Sequence, residues 1–107
     1  MRWGVDLLDA RVEAELAAQP ADIRAKFVRI TQIIEARGLE HLREPYVKHL
    51  EGRLWEMRMI GRDGIARAIY VTARERRVVV LRVFTKKRQK TPRRELEIAL
   101  ARAEEVE

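Results

Sequence analysis

Apolar side chains recur along this chain with two periods, and the point where one gives way to the other divides it. Ile23, Phe27, Ile30 and Ile34 follow at steps of four, three and four residues, which puts them on one stripe of a helix stopped by Gly38. From Leu54 the period drops to two. Trp55, Met57 and Met59 alternate there with Leu54, Glu56, Arg58 and Ile60, the pattern of a half-buried strand. Gly61-Arg62-Asp63-Gly64 makes a turn, Ile65–Thr72 a second strand, and the charged bend Ala73–Arg76 leads to a valine-rich third strand over Arg77–Phe84. Upstream, Trp3–Leu8 reads as a short opening strand. Ala10–Ala18, rich in Ala, Leu and Glu, reads as a short helix ended by Gln19-Pro20. Residues 39–52 hold Pro45 and Gly52 and read as a partly irregular connector. Downstream, Thr91 is placed to cap a helix with Pro92 in its first position, and Leu96, Ala99, Leu100 and Ala103 form its apolar stripe.

The predicted order is β-α-α-β-β-β-α. It describes one α+β domain over residues 1–107, a small twisted antiparallel sheet with two helices before it and one after. The helices are expected on one face, which leaves the other face for function. Trp3 and Trp55 are assigned to the core rather than to base stacking. The 107 residues suit a single core, and the absence of cysteine excludes disulfides and cysteine-built zinc sites. No window approaches the roughly 20 apolar residues of a membrane span, and Met1-Arg2-Trp3-Gly4-Val5-Asp6 lacks a signal-peptide run, so a cytoplasmic protein is expected.

Charge changes this picture more than composition does. The net charge is +6, but residues 1–51 carry 8 basic against 9 acidic side chains, whereas 52–107 carry 15 against 8. Within the second half, the run Arg82–Arg94 holds seven cations and no acid, and it straddles a strand end and a helix start. A helix N-terminus presents free N–H donors and a positive dipole end, so it favours phosphate and disfavours arginine. Arg93 and Arg94 in the first turn therefore point to an anionic ligand or an acidic partner segment, with pairing to Glu95 and Glu97 as the structural alternative. The partner class is polyanionic, with nucleic acid first and an acidic protein second.

Arg58, Arg67 and Arg82 are the strand cations that alternation sets among apolar neighbours. Such positions call for a partner. Either they serve a phosphate, for which the planar guanidinium fork is suited, or they form ion pairs, for instance Glu56 with Arg58 or Arg67 across strands. His41 and His49 lie eight apart without cysteine or acidic ligands at helical spacing, so no metal and no cofactor is expected. His49, beside Lys48, is a candidate for proton transfer. No Gly-rich phosphate loop, Ser-His-Asp set or H-E-x-x-H motif is present.

Three segments together resemble a known family: Lys48-His49-Leu50-Glu51-Gly52-Arg53-Leu54-Trp55-Glu56-Met57-Arg58, then Gly64-Ile65-Ala66-Arg67, then Val80 through Pro92 with its F-x-K-K-x-Q-K-T-P run. From about Leu39 onward the chain is similar to the phage-derived branch of the RelE/HigB-like toxins. The resemblance implies that fold and a toxin of a type II toxin–antitoxin pair. It further implies a metal-independent, ribosome-dependent endoribonuclease that cuts mRNA and is silenced by a cognate antitoxin, often a helix-turn-helix repressor. Arg58, Arg67, Lys86 and Lys87 fall on family positions that line the active face, and Arg82 stands where many relatives carry histidine. With Arg82 these form the expected catalytic set. Lys48, His49, Arg88, Lys90, Arg93 and Arg94 form the expected RNA-binding set. The chain ends in Ala103-Glu104-Glu105-Val106-Glu107, without the C-terminal tyrosine of some relatives. A non-catalytic ParE-like gyrase inhibitor, or a phage-derived binder of a host protein, is the alternative within the same fold.

Overall fold

A computed structural model describes residues 2–42, 46–86 and 90–106, with Lys86 described by its backbone alone. Strand β1 (Gly4–Leu7) leads into helices α1 (Ala10–Ala17) and α2 (Ala21–Arg37), and a short 3-10 turn (Leu39–His41) follows. Strands β2 (Val47–His49), β3 (Trp55–Ile60), β4 (Ile65–Ala73) and β5 (Arg77–Lys86) come next, and helix α3 (Arg93–Ala103) closes the chain. The five strands form one sheet in the order β1-β5-β4-β3-β2.

This architecture is the expected α+β class with three corrections, the first being the extra edge strand β2 inside the segment read as an irregular connector. The sheet is mixed, because β1 runs parallel to β5, with Leu7 opposite Val80. A strand of four residues paired with a partner 73 positions away leaves no local pattern for its direction. The helices also occupy both faces. Val12 of α1 and Ile23, Phe27, Ile30 and Ile34 of α2 bury against Met57, Met59, Ala68, Tyr70 and Val80. On the opposite face, Ala99 and Ala103 of α3 pack with Leu54, Ile69, Val71, Leu81 and Phe84. Central β4 is consequently buried on both sides along most of its length.

The local reasons are ordinary ones. Asp9 caps α1 by accepting a hydrogen bond from the Arg11 amide at 2.9 Å. Gly38 ends α2 at φ +94°, a left-handed conformation that other residues adopt only at a steric cost. Gly61 sits where a Cβ would lie 2.7 Å from Ile23 Cδ1, so a side chain there would have to displace Ile23 and Asp22 of α2. Asp22 fastens that contact, because its Oδ2 accepts from the Arg62 amide at 2.6 Å and its Oδ1 from the Ile23 amide at 3.0 Å.

The Arg62 amide holds the Asp22 carboxyl below its ordinary value, and the Arg11 side chain does the same for Asp9. Both groups are more acidic folded than unfolded, so their contribution is fully present at neutral pH and is lost as pH falls below about 4. The thermal midpoint is therefore expected to drop on acidification through that range. In Asp22→Asn the same titration, followed by circular dichroism, should be shallower.

Candidate functional site

Register fixes which strand residues share the α3 side of the sheet. Lys48, Glu56, Ile69 and Arg82 face one another across β2, β3, β4 and β5, and Arg58, Arg67 and Phe84 form the next row. Helix α3 lies over β5 and β4. Toward β3 and β2 the same face carries charge in place of apolar packing, and the residues leading into α3 approach it there.

The result is a concavity of about 440 Å³ lined by Lys48, His49, Leu50, Glu51, Lys90, Thr91 and Leu96. Strand β2 contributes the Lys48 side chain from the sheet edge, with His49 lining the end of the concavity while its ring turns to Trp55 on the opposite face, and the stretch before α3 contributes Lys90. His49 Nε2 lies 2.8 Å from the Gly52 carbonyl oxygen. A carbonyl only accepts, so the proton is assigned to Nε2, and Nδ1 is the ring atom left for proton exchange. The ring also packs on Trp55 at a centroid distance of 5.0 Å.

Beneath Thr91 lies a buried polar cluster. Glu56 is 0% exposed and Arg67 3% exposed, and the two form an ion pair across β3 and β4. The Thr91 hydroxyl donates to Glu56 Oε1 at 2.7 Å and accepts from Arg67 Nη1 at 2.9 Å. Thr91 is therefore not the cap expected of it. Pro92 occupies the N-cap position, and no side chain caps α3. Desolvation lowers the pKa of the Arg67 guanidinium, against the pull of Glu56 and with the repulsion of Arg58. Arginine titrates so high that it stays charged.

Arg58, directly opposite Arg67 in the register, is half-buried. Its Nε is buried with no hydrogen-bond partner, and among the described residues Arg58 has no ion pair. Neither Glu56 oxygen is hydrogen-bonded to it, since Oε1 accepts from Thr91 and Oε2 from Arg67. Arg58 is a cation held beside a second cation in a semi-enclosed place, a condition that an incoming anion relieves.

Arg82 is drawn elsewhere. A β-bulge between Ile69 and Tyr70 shifts the β4–β5 register, so Val80 joins the α1/α2 core while Phe84 joins the α3 core. The expected alternation around Arg82 is thereby broken. Its Nε donates to Glu95 of α3 at 2.6 Å and its Nη1 to Glu15 of α1 at 2.7 Å. Glu15 also accepts from Arg102 and from the Val83 amide. Burial works to lower the Arg82 pKa, but these carboxylates raise it overall. Arg82 thus ties α1, β5 and α3 together, across two strand spacings, or roughly 10 Å, from Glu56.

Of the remaining candidates, Arg93 is exposed at the rim and pairs with Glu51 at 2.7 Å, with Glu97 at 3.7 Å. Arg94 is exposed in the first turn of α3, with no ion pair among the described residues. Lys87 and Arg88 lie outside the described residues, as does the Lys86 side chain. Trp55 is 39% exposed, a departure from the core position expected of it, and with Trp3, Leu39, Leu42, Val47 and Tyr70 it lines an apolar cavity of about 260 Å³ on the other face. Charge and alternation had singled out Arg58, Arg67 and Lys90, and the family resemblance Lys48 and His49. The Glu56–Arg67 pair is one of the two cross-strand pairs the sequence offers; Thr91 was missed as its third member, because it lies 24 residues from Arg67 and 35 from Glu56. No three His, Cys, Asp or Glu side chains converge on a possible metal position among the described residues. No helix there is long and apolar enough to cross a membrane.

The fold is that of the RelE toxins. The structure is similar to that of E. coli toxin RelE, solved as a mutant in the free state, with a TM-score of 0.66 at 17% identity over 95% of this chain and 98% of that one. It is also similar to a chain of the archaeal RelE–RelB complex from Pyrococcus horikoshii, with a TM-score of 0.64 at 22% identity, covering 82% of this chain and 99% of that one. No curated protein matches the chain by sequence. The model of the phage-derived Gp49-like protein family matches residues 14–104. The chain belongs to that family, which is of the RelE/HigB toxin type.

Proposed function

We propose that the protein is the toxin of a type II toxin–antitoxin pair, a cytoplasmic, metal-independent endoribonuclease that cuts mRNA on the ribosome within a single domain over 1–107. The observation that carries this reading is the concavity that Lys48 and Lys90 line between β2 and α3 on a RelE fold; Arg58, without an ion pair among the described residues, lines a separate cavity with Lys26, Arg29 and Arg37 of α2. In the proposed reaction a ribose 2′-hydroxyl attacks the adjacent phosphorus in line. The O5′ bond breaks, leaving a 2′,3′-cyclic phosphate and a 5′-hydroxyl end. Arg58 neutralises the charge that gathers on the pentavalent phosphorus, the kind of preorganised electrostatic stabilisation that dominates catalysis in such sites. Lys86 and Lys87 supply proton transfer to and from the two oxygens, whereas His49 is turned to Trp55 on the opposite face of the sheet.

Lys48, Lys90, Arg88, Arg93 and Arg94 hold the RNA backbone in this reading. Arg67 and Arg82, whose guanidiniums carboxylates already hold, act by positioning their surroundings. A cognate antitoxin, of helix-turn-helix type, covers the site when the pair is assembled. The second reading, a gyrase inhibitor or host-protein binder, draws on the partly exposed Trp55 and the apolar cavity beside it. Induction in cells separates the two. Immediate arrest of translation with cut mRNA is the expected result, whereas filamentation with DNA-damage signalling and intact mRNA would replace the ribonuclease reading with the gyrase one.

A further inference from the structure

Three stretches of chain far apart in sequence meet at one buried point: Glu56 from the E-x-R strand, Arg67 from the G-I-x-R strand, and Thr91 from the K-T-P run before α3. A hydroxyl has a single proton to donate. Thr91 gives it to Glu56 Oε1 and receives the Arg67 Nη1 proton, so donor and acceptor capacity match at the contact. Thr91 itself is only 7% exposed, whereas Lys90 before it and Pro92 after it are exposed. The chain thus dips into the sheet at one residue between the basic run and α3.

We propose that Thr91 is a positioning residue for the reaction read above: by bridging Glu56 and Arg67, its hydroxyl fixes Lys90 and the start of α3 beside Lys48, and leaves Arg58 without an ion pair among the described residues. The second consequence follows from the carboxylate. With Oε1 committed to Thr91 and Oε2 to Arg67, Glu56 has no oxygen turned to Arg58, two residues along the same strand face. Release of Oε1 frees the carboxylate to turn to its other cationic neighbour, and the charge offered to the phosphorus falls. The inference rests on the ribonuclease reading for its kinetic consequence, but the latch itself is a property of the fold.

The test uses the full chain with Thr91→Val, which keeps the shape and removes the hydroxyl, and Thr91→Ser, which keeps the hydroxyl. Cleavage of ribosome-bound mRNA is measured well below either thermal midpoint, alongside limited trypsin digestion after Lys90. Thr91→Val is expected to lose about tenfold in kcat, the effect of roughly one hydrogen bond, with KM within about twofold. Trypsin should cut it after Lys90 several-fold faster, and Thr91→Ser should restore both readouts. A Thr91→Val protein that matches wild type in kcat and in trypsin resistance overturns the proposal. If wild type itself cuts no RNA, the ribonuclease reading falls, and the trypsin comparison still decides whether the latch exists.

Discussion

Arg58→Ala is expected to lower RNA cleavage by about 10²–10³-fold, the usual effect of deleting one preorganised donor to a developing negative charge. The same substitution should leave the thermal midpoint within a few degrees of wild type. The separation of the two effects comes from the geometry. Arg58 has no ion pair to lose among the described residues, its Nε is buried without a hydrogen-bond partner, and its nearest charged neighbour in the register is another arginine. Removing it relieves like-charge repulsion that Arg67 otherwise feels. Arg58→Lys should recover part of the activity, because a point charge returns without the planar fork. Steady-state cleavage rates with parallel thermal melts check this, and an Arg58→Ala protein as active as wild type would remove Arg58 from the mechanism.

Arg67→Ala should behave in the opposite way, losing stability first. It strands Glu56, a fully buried carboxylate, with Thr91 as its remaining hydrogen-bond donor in the cluster. Breaking a buried pair from one side costs about 3–5 kcal/mol. That is a large share of the 5–15 kcal/mol typical of a whole domain, and corresponds to a fall of roughly 15 °C or more in thermal midpoint at this chain length. Replacing both partners, as Glu56→Leu with Arg67→Met, should stay within about 2 kcal/mol of wild type, because the desolvation that the pair demands disappears with it. Chemical denaturation of the three proteins measures this. Equal losses in the single and double variants would show that the pair stabilises the fold outright.

The α2 stripe is legible in the sequence because Ile23, Phe27, Ile30 and Ile34 all answer to one period, and each is buried against the sheet. The β3 to β5 meander is legible for the same reason. Strand β2 and the direction of β1 are not, because a three-residue edge and a four-residue parallel strand carry no period of their own. The bulge opposite Ile69 and Tyr70 defeats alternation at Arg82, and no residue type in that stretch announces it. At the site, alternation identified arginines that need partners and offered Glu56 as one. Which arginine it would take depended on Thr91, thirty-five residues on, whose position before Pro92 reads locally as a helix cap. The competing long-range contact won because a buried carboxylate gains more from a donor than an exposed helix end does.

The most direct test of the ribonuclease reading is cleavage of mRNA on translating ribosomes by the purified protein, with the new RNA ends identified chemically. The expected cuts leave a 2′,3′-cyclic phosphate upstream and a 5′-hydroxyl downstream, and form about 10²–10³-fold more slowly in Arg58→Ala. Intact mRNA in the presence of folded protein, or cuts that leave 5′-phosphate ends, would contradict it.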